Sequence, residues 1–384
     1  MIRLSQKADC CGCGACAQGC PKNCITMTAD AEGFLYPVVD TAQCVECGLC
    51  EKACPILKKE KTQRVQVQAF AACAADDELR QSSSSGGMFS MLAQEILSQG
   101  GAVFGAAFDE NFAVRHVMVE NSTDLQRLRG SKYVQSAMGD AYQQAKAVLK
   151  QGRPVLFTGV SCQIAGLKAF LGRDYDNLWT VDILCHGVPS PGVWQRYCRE
   201  QEAAHGGKLE AVSFRDKRTG WRRSSISMQF AGGREYCRRG GEDPYMRLFL
   251  GDVCLRPSCH DCRFKAVPRL SDLTVGDAWG IEQHMPDMDD DLGTSVVLMN
   301  SEKGNRLWKQ IAPKLRSRPG ELDTLLPPKA DSRKSVSPHP NRTRFFAVFA
   351  QGTAVSQLGA LSRKPWHRRM LSFGKRTLKR LLRK

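Results

Sequence analysis

Two runs of cysteine near the N-terminus share one spacing: Cys10, Cys13, Cys16 and Cys20 before Pro21, and Cys44, Cys47, Cys50 and Cys54 before Pro55. Both follow C-x₂-C-x₂-C-x₃-C-P. A cubane iron–sulfur cluster needs four thiolates converging from different directions. Such a run wraps three of them around one cluster and sends its fourth cysteine to the neighbouring one. The spacing therefore assigns Cys10, Cys13, Cys16 and Cys54 to one [4Fe–4S] cluster, and Cys44, Cys47, Cys50 and Cys20 to a second. Zinc favours two separated C-x₂-C pairs, which is a different pattern. Cys11 and Cys24 fall outside the register as spare thiols, although a slip of one residue would let Cys11 replace Cys10. Two clusters in one small module relay single electrons between a donor and something deeper, and do no substrate chemistry alone.

Further along, Ser82 to Met88 (Ser-Ser-Ser-Ser-Gly-Gly-Met) precedes an apolar helical pattern. Small residues there let backbone N–H groups approach an anion, and the helix dipole favours a phosphate; a flexible Ser/Gly linker is the alternative. Arg129 to Ser136 offers a turn, a cation (Lys132), an aromatic face (Tyr133) and hydrogen-bonding side chains (Ser131, Gln135). In Phe157–Leu167 a strand ends in a turn that sets Cys162 near a helix N-terminus, which lowers a thiol's pKa and suits a ligand or nucleophile; a buried structural thiol is the alternative. Asp182–Pro191 repeats this strand-end arrangement around Cys185 and His186. Cys259 and Cys262 form another C-x₂-C, followed by Gly276-Asp277-Ala278-Trp279-Gly280. The basic stretch Phe214–Arg223, with Trp221 interleaved, is either a binding surface for an acidic substrate or a solvated hairpin turn. No Gly-x-Gly-x-x-Gly follows a strand, so a Rossmann-type NAD site is not expected.

These residues need a scaffold. A chain of 384 residues suits a compact domain of ~200–250 residues with smaller attachments. Residues 1–60 hold ten of the 18 cysteines and form the ferredoxin module. The polar run from Leu57 to Gln68 is a linker. From 67 to 330 strands and helices alternate, with a first part to about 150 and a second from about 151. Gly101–Phe108 and Phe112–Val119 are predicted as paired strands, Pro154–Phe157 and Leu178–Leu184 as buried ones. Helical patterns fall at Met88–Leu97, Asp140–Leu149 and Ile164–Phe170, and another helix starts at Pro191. The fold class is thus an α+β dicluster module followed by a mixed α/β domain.

The region 331–384 turns basic, with a short helix at Arg342–Phe349. Of the net charge of +16, twelve positive charges lie from Asn341 onward with no acidic residue, leaving the first 340 residues at +4. Trp366, Met370, Phe373, Thr377 and Leu381 share one helical face of this basic helical tail, which Gly374 interrupts. That face fits anionic lipid or a partner, a solvated tail being the alternative; nucleic acid has charge in its favour but no motif. No apolar run reaches the ~18–20 residues of a membrane span, and no apolar core resembling a signal peptide precedes the cysteines. The expected location is cytoplasmic, where membrane contact would be peripheral. In a reducing compartment, clustered cysteines point to metal or redox chemistry.

The ferredoxin module, Ser-Ser-Gly-Gly, Gly-Ser-Lys-Tyr-Val-Gln, Cys-Gln-Ile-Ala-Gly-Leu, Cys-His-Gly-Val-Pro-Ser-Pro, Ser-Cys-x-x-Cys and Gly-Asp-x-Trp-Gly stand in this order from Cys10 to Phe346. In this the chain resembles the coenzyme F420 hydrogenase/dehydrogenase beta-subunit family, in its bacterial form with an N-terminal ferredoxin domain. One departure is Gly159-Val160-Ser161 where the family commonly has Gly-Thr-Pro. The resemblance implies FAD, electron transfer between clusters and a hydride acceptor or donor (a deazaflavin in some members), and a link to exopolysaccharide synthesis. It makes 67–330 a flavin-binding oxidoreductase domain, with the FAD phosphates on Ser84, Ser85, Gly86 and Gly87. The ring would lie near Ser131, Lys132, Tyr133, Gln135, Thr158, Gly159 and Gln163. Lys132 would stabilise the anionic reduced flavin, and His186 and Asp277 would handle protons. Cys162, Cys185, Cys259 and Cys262 then form a set of four for a third [4Fe–4S] cluster, with a zinc-bound or labile C-x₂-C as the rival. Cys254 is a substitute ligand, and Cys73, Cys198 and Cys237 are core or surface thiols. The expected function is an iron–sulfur flavoenzyme acting on a small organic substrate and served by a redox partner protein. An electron-transfer subunit for a separate enzyme and an iron–sulfur sensor anchored by its tail are the alternatives.

Overall fold

The computed structural model describes residues 1–58 and 66–363. Each cysteine run ends in one turn of helix, Ala15–Gln18 and Leu49–Lys52, and each opens on a glycine at φ 71°, Gly14 and Gly48. The left-handed conformation is open to glycine at no steric cost. It lets the chain double back between the second and third cysteines, as wrapping a cluster demands. An antiparallel hairpin, β1 (Ile25–Ala29) with β2 (Leu35–Val39), joins the two halves.

The body is built on eight strands: β3 (Gln68–Ala74), β4 (Ala102–Phe108), β5 (Val114–Val119), β6 (Val155–Val160), β7 (Leu178–Ile183), β11 (Leu273–Asp277), β12 (Ser295–Met299) and β13 (Leu315–Gly320), in the order β13-β3-β12-β11-β7-β6-β4-β5. Strands β4, β6, β7 and β11 run parallel, and the others pair antiparallel at the flanks. Three further strands, β8 (Leu209–Asp216), β9 (Ser225–Phe230) and β10 (Arg234–Arg239), form a separate antiparallel sheet.

The central strands are apolar along their whole length because both faces are covered. Val103, Leu156, Val181 and Leu273 pack beneath Leu92 and Ile96 of the helix Met88–Ser98 and Leu307 of the helix Glu302–Ile311. Their neighbours Phe104, Phe157 and Leu178 face the other way, onto Tyr142, Ile164 and Leu167 of the helices Ala141–Lys150 and Ser161–Leu171. The mixed α/β class and these helices match the sequence expectation, as does the helix opening at Pro191, where Ser190 caps Val193 N–H. The sheet draws strands from both sides of residue 150, so the two parts expected of 67–330 share one core. The region from 331 is not all tail: the helix Arg342–Ala350 buries Phe345, Phe346 and Phe349 against the three-stranded sheet and the module's Phe34. The amphipathic face predicted at Trp366–Leu381 lies outside the described residues. Among the described residues, no helix is long and apolar enough to cross a membrane.

Candidate redox site

The C-terminal ends of parallel strands are where open α/β sheets present ligand-binding residues, and here that edge is capped by the ferredoxin module. Arg256, fully buried, clamps it. Its guanidinium donates to Cys10 O at 2.7 Å, to Leu35 O at 2.9 Å and to Gln135 Oε1 at 3.0 Å, and lies 4.2 Å from the Tyr36 ring centroid. Gln135 Nε2 in turn donates to Cys11 O at 2.9 Å. Between these contacts sits Gly12, where a Cβ would come within 2.7 Å of Arg256 Nη1. On the other side Gly166 faces Cys13, whose Sγ would lie 3.0 Å from a Cβ added there. Arg342 holds the hairpin through both carboxylate oxygens of Glu32, at 2.9 and 2.5 Å. The glycine of Cys-Gln-Ile-Ala-Gly-Leu and the glutamine of Gly-Ser-Lys-Tyr-Val-Gln thus serve the dock.

Within the module, Cys20, Cys44, Cys47 and Cys50 line one small pocket, which Cys24 also lines with its Sγ 3.3 Å from that of Cys20. Cys16 lies amid Cys10, Cys13 and Cys54; burial first, then the nearby Cys10 and Cys54 sulfurs, push its thiol up to about 12. The fold thus brings the cysteines of each spacing-derived set near one another. A cluster, whose ferric and ferrous charges hold ligands as thiolates, supplies what such buried thiols lack.

Beneath the module lies a cavity of about 180 Å³. Cys162 from just past the end of β6, Cys185 from just past the end of β7, and Cys259 and Cys262 from the segment that precedes β11 all line it, and so does Cys11 from the module. Burial pushes Cys185 up to about 11 and Cys259 up to about 12. Cys162 is likewise raised, above all by its hydrogen bond to Cys11 and then by burial, so the expected lowering at a helix N-terminus is outweighed. Two cations counter this. Lys265, 4% exposed, donates to His186 O at 2.8 Å and to Lys334 O at 3.1 Å, and Arg269 pairs with buried Asp182 at 3.0 Å. Both draw Cys185 and Cys262 toward thiolate. Val188 N–H donates to Cys259 Sγ at 3.4 Å, the kind of bond that tunes cluster potentials. Four thiols on three segments around a cavity, with buried cations behind them, fit an anionic cubane. Among the described residues no three His, Cys, Asp or Glu groups converge on a single metal ion.

The residues expected at a flavin divide. Ser131 N–H donates to Ser84 Oγ at 2.6 Å, so the two segments proposed for the cofactor meet beside the start of the helix Met88–Ser98. Lys132 donates to Arg127 O and Arg129 O at 3.0 and 2.7 Å, and burial lowers its amine to about 7. Gly86 also has a structural reason: a Cβ there would lie 2.5 Å from Ala72 O. Gly87, at φ 85°, caps the helix, and Ser85 Oγ donates to Thr294 O at 3.0 Å. Tyr133 stacks on Phe249 and accepts from Arg215 at 3.2 Å.

Three of the residues turn their polar ends into the protein. Gln135 is spent on Cys11 and Arg256. Thr158 Oγ1 donates to Phe104 O at 2.8 Å, and its carbonyl meets His116 Nε2 at 2.9 Å. Gln163 Nε2 donates to Ser136 Oγ at 2.8 Å while its Oε1 accepts from Val160 N–H, closing the tight turn at Gly159. All three are more than nine-tenths buried with their polar ends filled, and a ring contact through them is withdrawn.

His186 Nε2 lies 2.6 Å from Asp252 and its ring meets Phe249 edge-on, beside the cavity wall. Asp277 is committed to Arg215 at 2.9 Å and to Trp221 Nε1 at 2.9 Å, which makes it an anchor and removes it as a proton carrier. Nor is Phe214–Arg223 a plain solvated turn: Trp221 is buried under Trp279, stacked at 4.7 Å, and Lys217 donates to the carbonyls of Arg80, Ser85 and Leu292. Arg256, Lys265 and Cys11 carry weight that spacing alone did not assign; the signal available was a buried-cation requirement wherever thiolates gather.

The arrangement defines an iron–sulfur electron-transfer protein whose dicluster module is seated on an α/β body. Residues 9–56 match the 4Fe-4S dicluster domain. Residues 69–142 and 152–321 match the N-terminal and C-terminal models of the coenzyme F420 hydrogenase/dehydrogenase beta subunit, together well over half of the chain. The chain belongs to that family. The F420-reducing [NiFe] hydrogenase complex from Methanosarcina barkeri, solved in a xenon-derivatised form, is similar at 20% identity and TM-score 0.46, over 68% of this chain and 84% of that one. A comparison with curated proteins finds no match.

Proposed function

We propose that this protein is an iron–sulfur flavoprotein oxidoreductase. In this reading the two ferredoxin motifs would hold the clusters that take up single electrons, Cys162, Cys185, Cys259 and Cys262 would hold a third [4Fe–4S] cluster beneath them, and FAD would be the final acceptor. The observation that carries it is the thiol-lined cavity between the first cluster's loop and the strand ends, an arrangement without purpose in a module that hands electrons outward.

Ser84, Ser131 and the free N–H groups opening the helix Met88–Ser98 would hold the FAD phosphates. Bound flavin supplies the conversion between one-electron transfer and two-electron hydride chemistry. Lys132, fixed by two carbonyls and lowered to about 7 by burial, would stabilise the anionic reduced flavin when protonated and would exchange that proton near neutral pH. His186, oriented by Asp252, would handle protons beside the cavity. The substrate is a small organic molecule or a deazaflavin, exopolysaccharide synthesis is the suggested setting, and a redox partner protein exchanges electrons at the module.

The test is the absorbance spectrum and cofactor analysis of anaerobically purified protein. Flavin with about twelve irons per chain, four for each cubane, is expected. About eight irons removes the third cluster, and clusters without flavin favour a simple electron-transfer subunit.

A further inference from the structure

Cys11 occupies a position that neither ferredoxin spacing nor the third set of thiols explains. It is 7% exposed, lines the cavity shared by Cys162, Cys185, Cys259 and Cys262, and packs in one apolar cluster with Cys13. Cys162 packs against that same cluster. It therefore lies among thiols from both sides: Cys13, of the set for the first ferredoxin cluster, and Cys162 of the cavity.

The backbone enforces this. Arg256 holds Cys10 O and Gln135 holds Cys11 O, at 2.7 and 2.9 Å. Gly12, at φ 71°, turns the chain in a space that has no room for a side chain. The turn sets Cys11 in the cavity wall, between the first cluster's set of cysteines and the strand ends.

We propose that Cys11 is the bridge by which electrons cross from the first ferredoxin cluster to the cluster in the cavity, along the path Cys13–Cys11–Cys162. The proposal rests on the third-cluster reading above. One electron leaves the reduced first cluster and arrives at the oxidised third; no bond forms or breaks, no proton moves, and Cys11 ends as it began. Because tunnelling falls steeply with the width of any gap, a polarisable sulfur packed between the two sets of ligands makes a better path than a methyl group and a void. Cys11 is a positioning residue here, not a ligand.

The experiment compares the full-length protein with Cys11→Ala and Cys11→Ser, all purified anaerobically. Each is reduced with less than one equivalent of dithionite and followed by rapid-freeze electron paramagnetic resonance. Expected are about twelve irons in all three proteins, unchanged signals from the two ferredoxin clusters, and loss of the fast phase of third-cluster reduction in Cys11→Ala. Cys11→Ser, which keeps a polar contact, falls between. A Cys11→Ala protein that keeps the fast phase reduces Cys11 to packing and overturns the proposal. A fall to about eight irons in the variants alone makes Cys11 a ligand and overturns it differently. About eight irons in the unaltered protein sinks the third-cluster reading itself, before any variant is compared.

Discussion

Replacing Arg256 by alanine should loosen the ferredoxin module from the body. The guanidinium has no exposure, and its loss leaves three buried acceptors without their donor: Cys10 O, Leu35 O and Gln135 Oε1, now at 2.7, 2.9 and 3.0 Å. Each such orphan costs about 1–3 kcal/mol. Loss of the contact over Tyr36 adds about 1 kcal/mol. Water admitted to the vacated space recovers part of this, so a net loss of about 3–5 kcal/mol is expected, a large share of the roughly 5–15 kcal/mol that holds a domain together. The loss falls on the dock, so the module should detach before the body melts. Limited trypsin digestion, with Lys58 and Arg64 in the linker as target sites, combined with calorimetry, reads this directly. Faster release of an N-terminal fragment and an earlier, separate transition are predicted. Arg256→Lys should behave nearly as badly, since an ammonium cannot span three acceptors in the plane of a guanidinium fork. Digestion rates and transitions equal to those of the unaltered protein would refute the clamp.

Two other outcomes follow from the geometry. Cys20→Ser should lose the second ferredoxin cluster, whereas Cys24→Ser should keep its iron and shift only the cluster's signal, its sulfur being 3.3 Å from that of Cys20; iron quantitation separates them, and equal losses would break the ligand assignment. Burial lowers Lys132 from 10.5 to about 7, so between those values the unfolded chain binds the extra proton and stability rises with pH. Against Lys132→Met, the unaltered protein should therefore gain in urea midpoint as pH rises from 7 to 10, and a pH-independent difference would contradict the lowered amine.

Much of this was legible in sequence because it depends on local period and spacing. The paired C-x₂-C-x₂-C-x₃-C runs fix their own geometry, and the strands Val155–Val160 and Leu178–Ile183 are continuous apolar runs because both faces are covered. The strand ends carrying Cys162 and Cys185 were legible for the same reason. What escaped depends on contacts between distant segments. Gln135 looked like a ligand-binding side chain, yet it faces Cys11, 124 residues away. Cys11 looked spare because it shares its cavity with Cys162, which no spacing rule connects to it. Lys217 looked like one charge in a solvated basic run, but three carbonyls from two other segments enclose it. Local pattern specifies elements; which polar ends they satisfy is decided when they meet.

The central claim is that electrons from the ferredoxin module reach a cluster held in the cavity beneath it. The most direct measurement is iron content and low-temperature electron paramagnetic resonance of the reduced protein, with and without Cys259→Ser and Cys262→Ser together. The account predicts a fall from about twelve irons to about eight, with both ferredoxin signals intact and a third signal gone. Equal iron and identical spectra in the two proteins would contradict it.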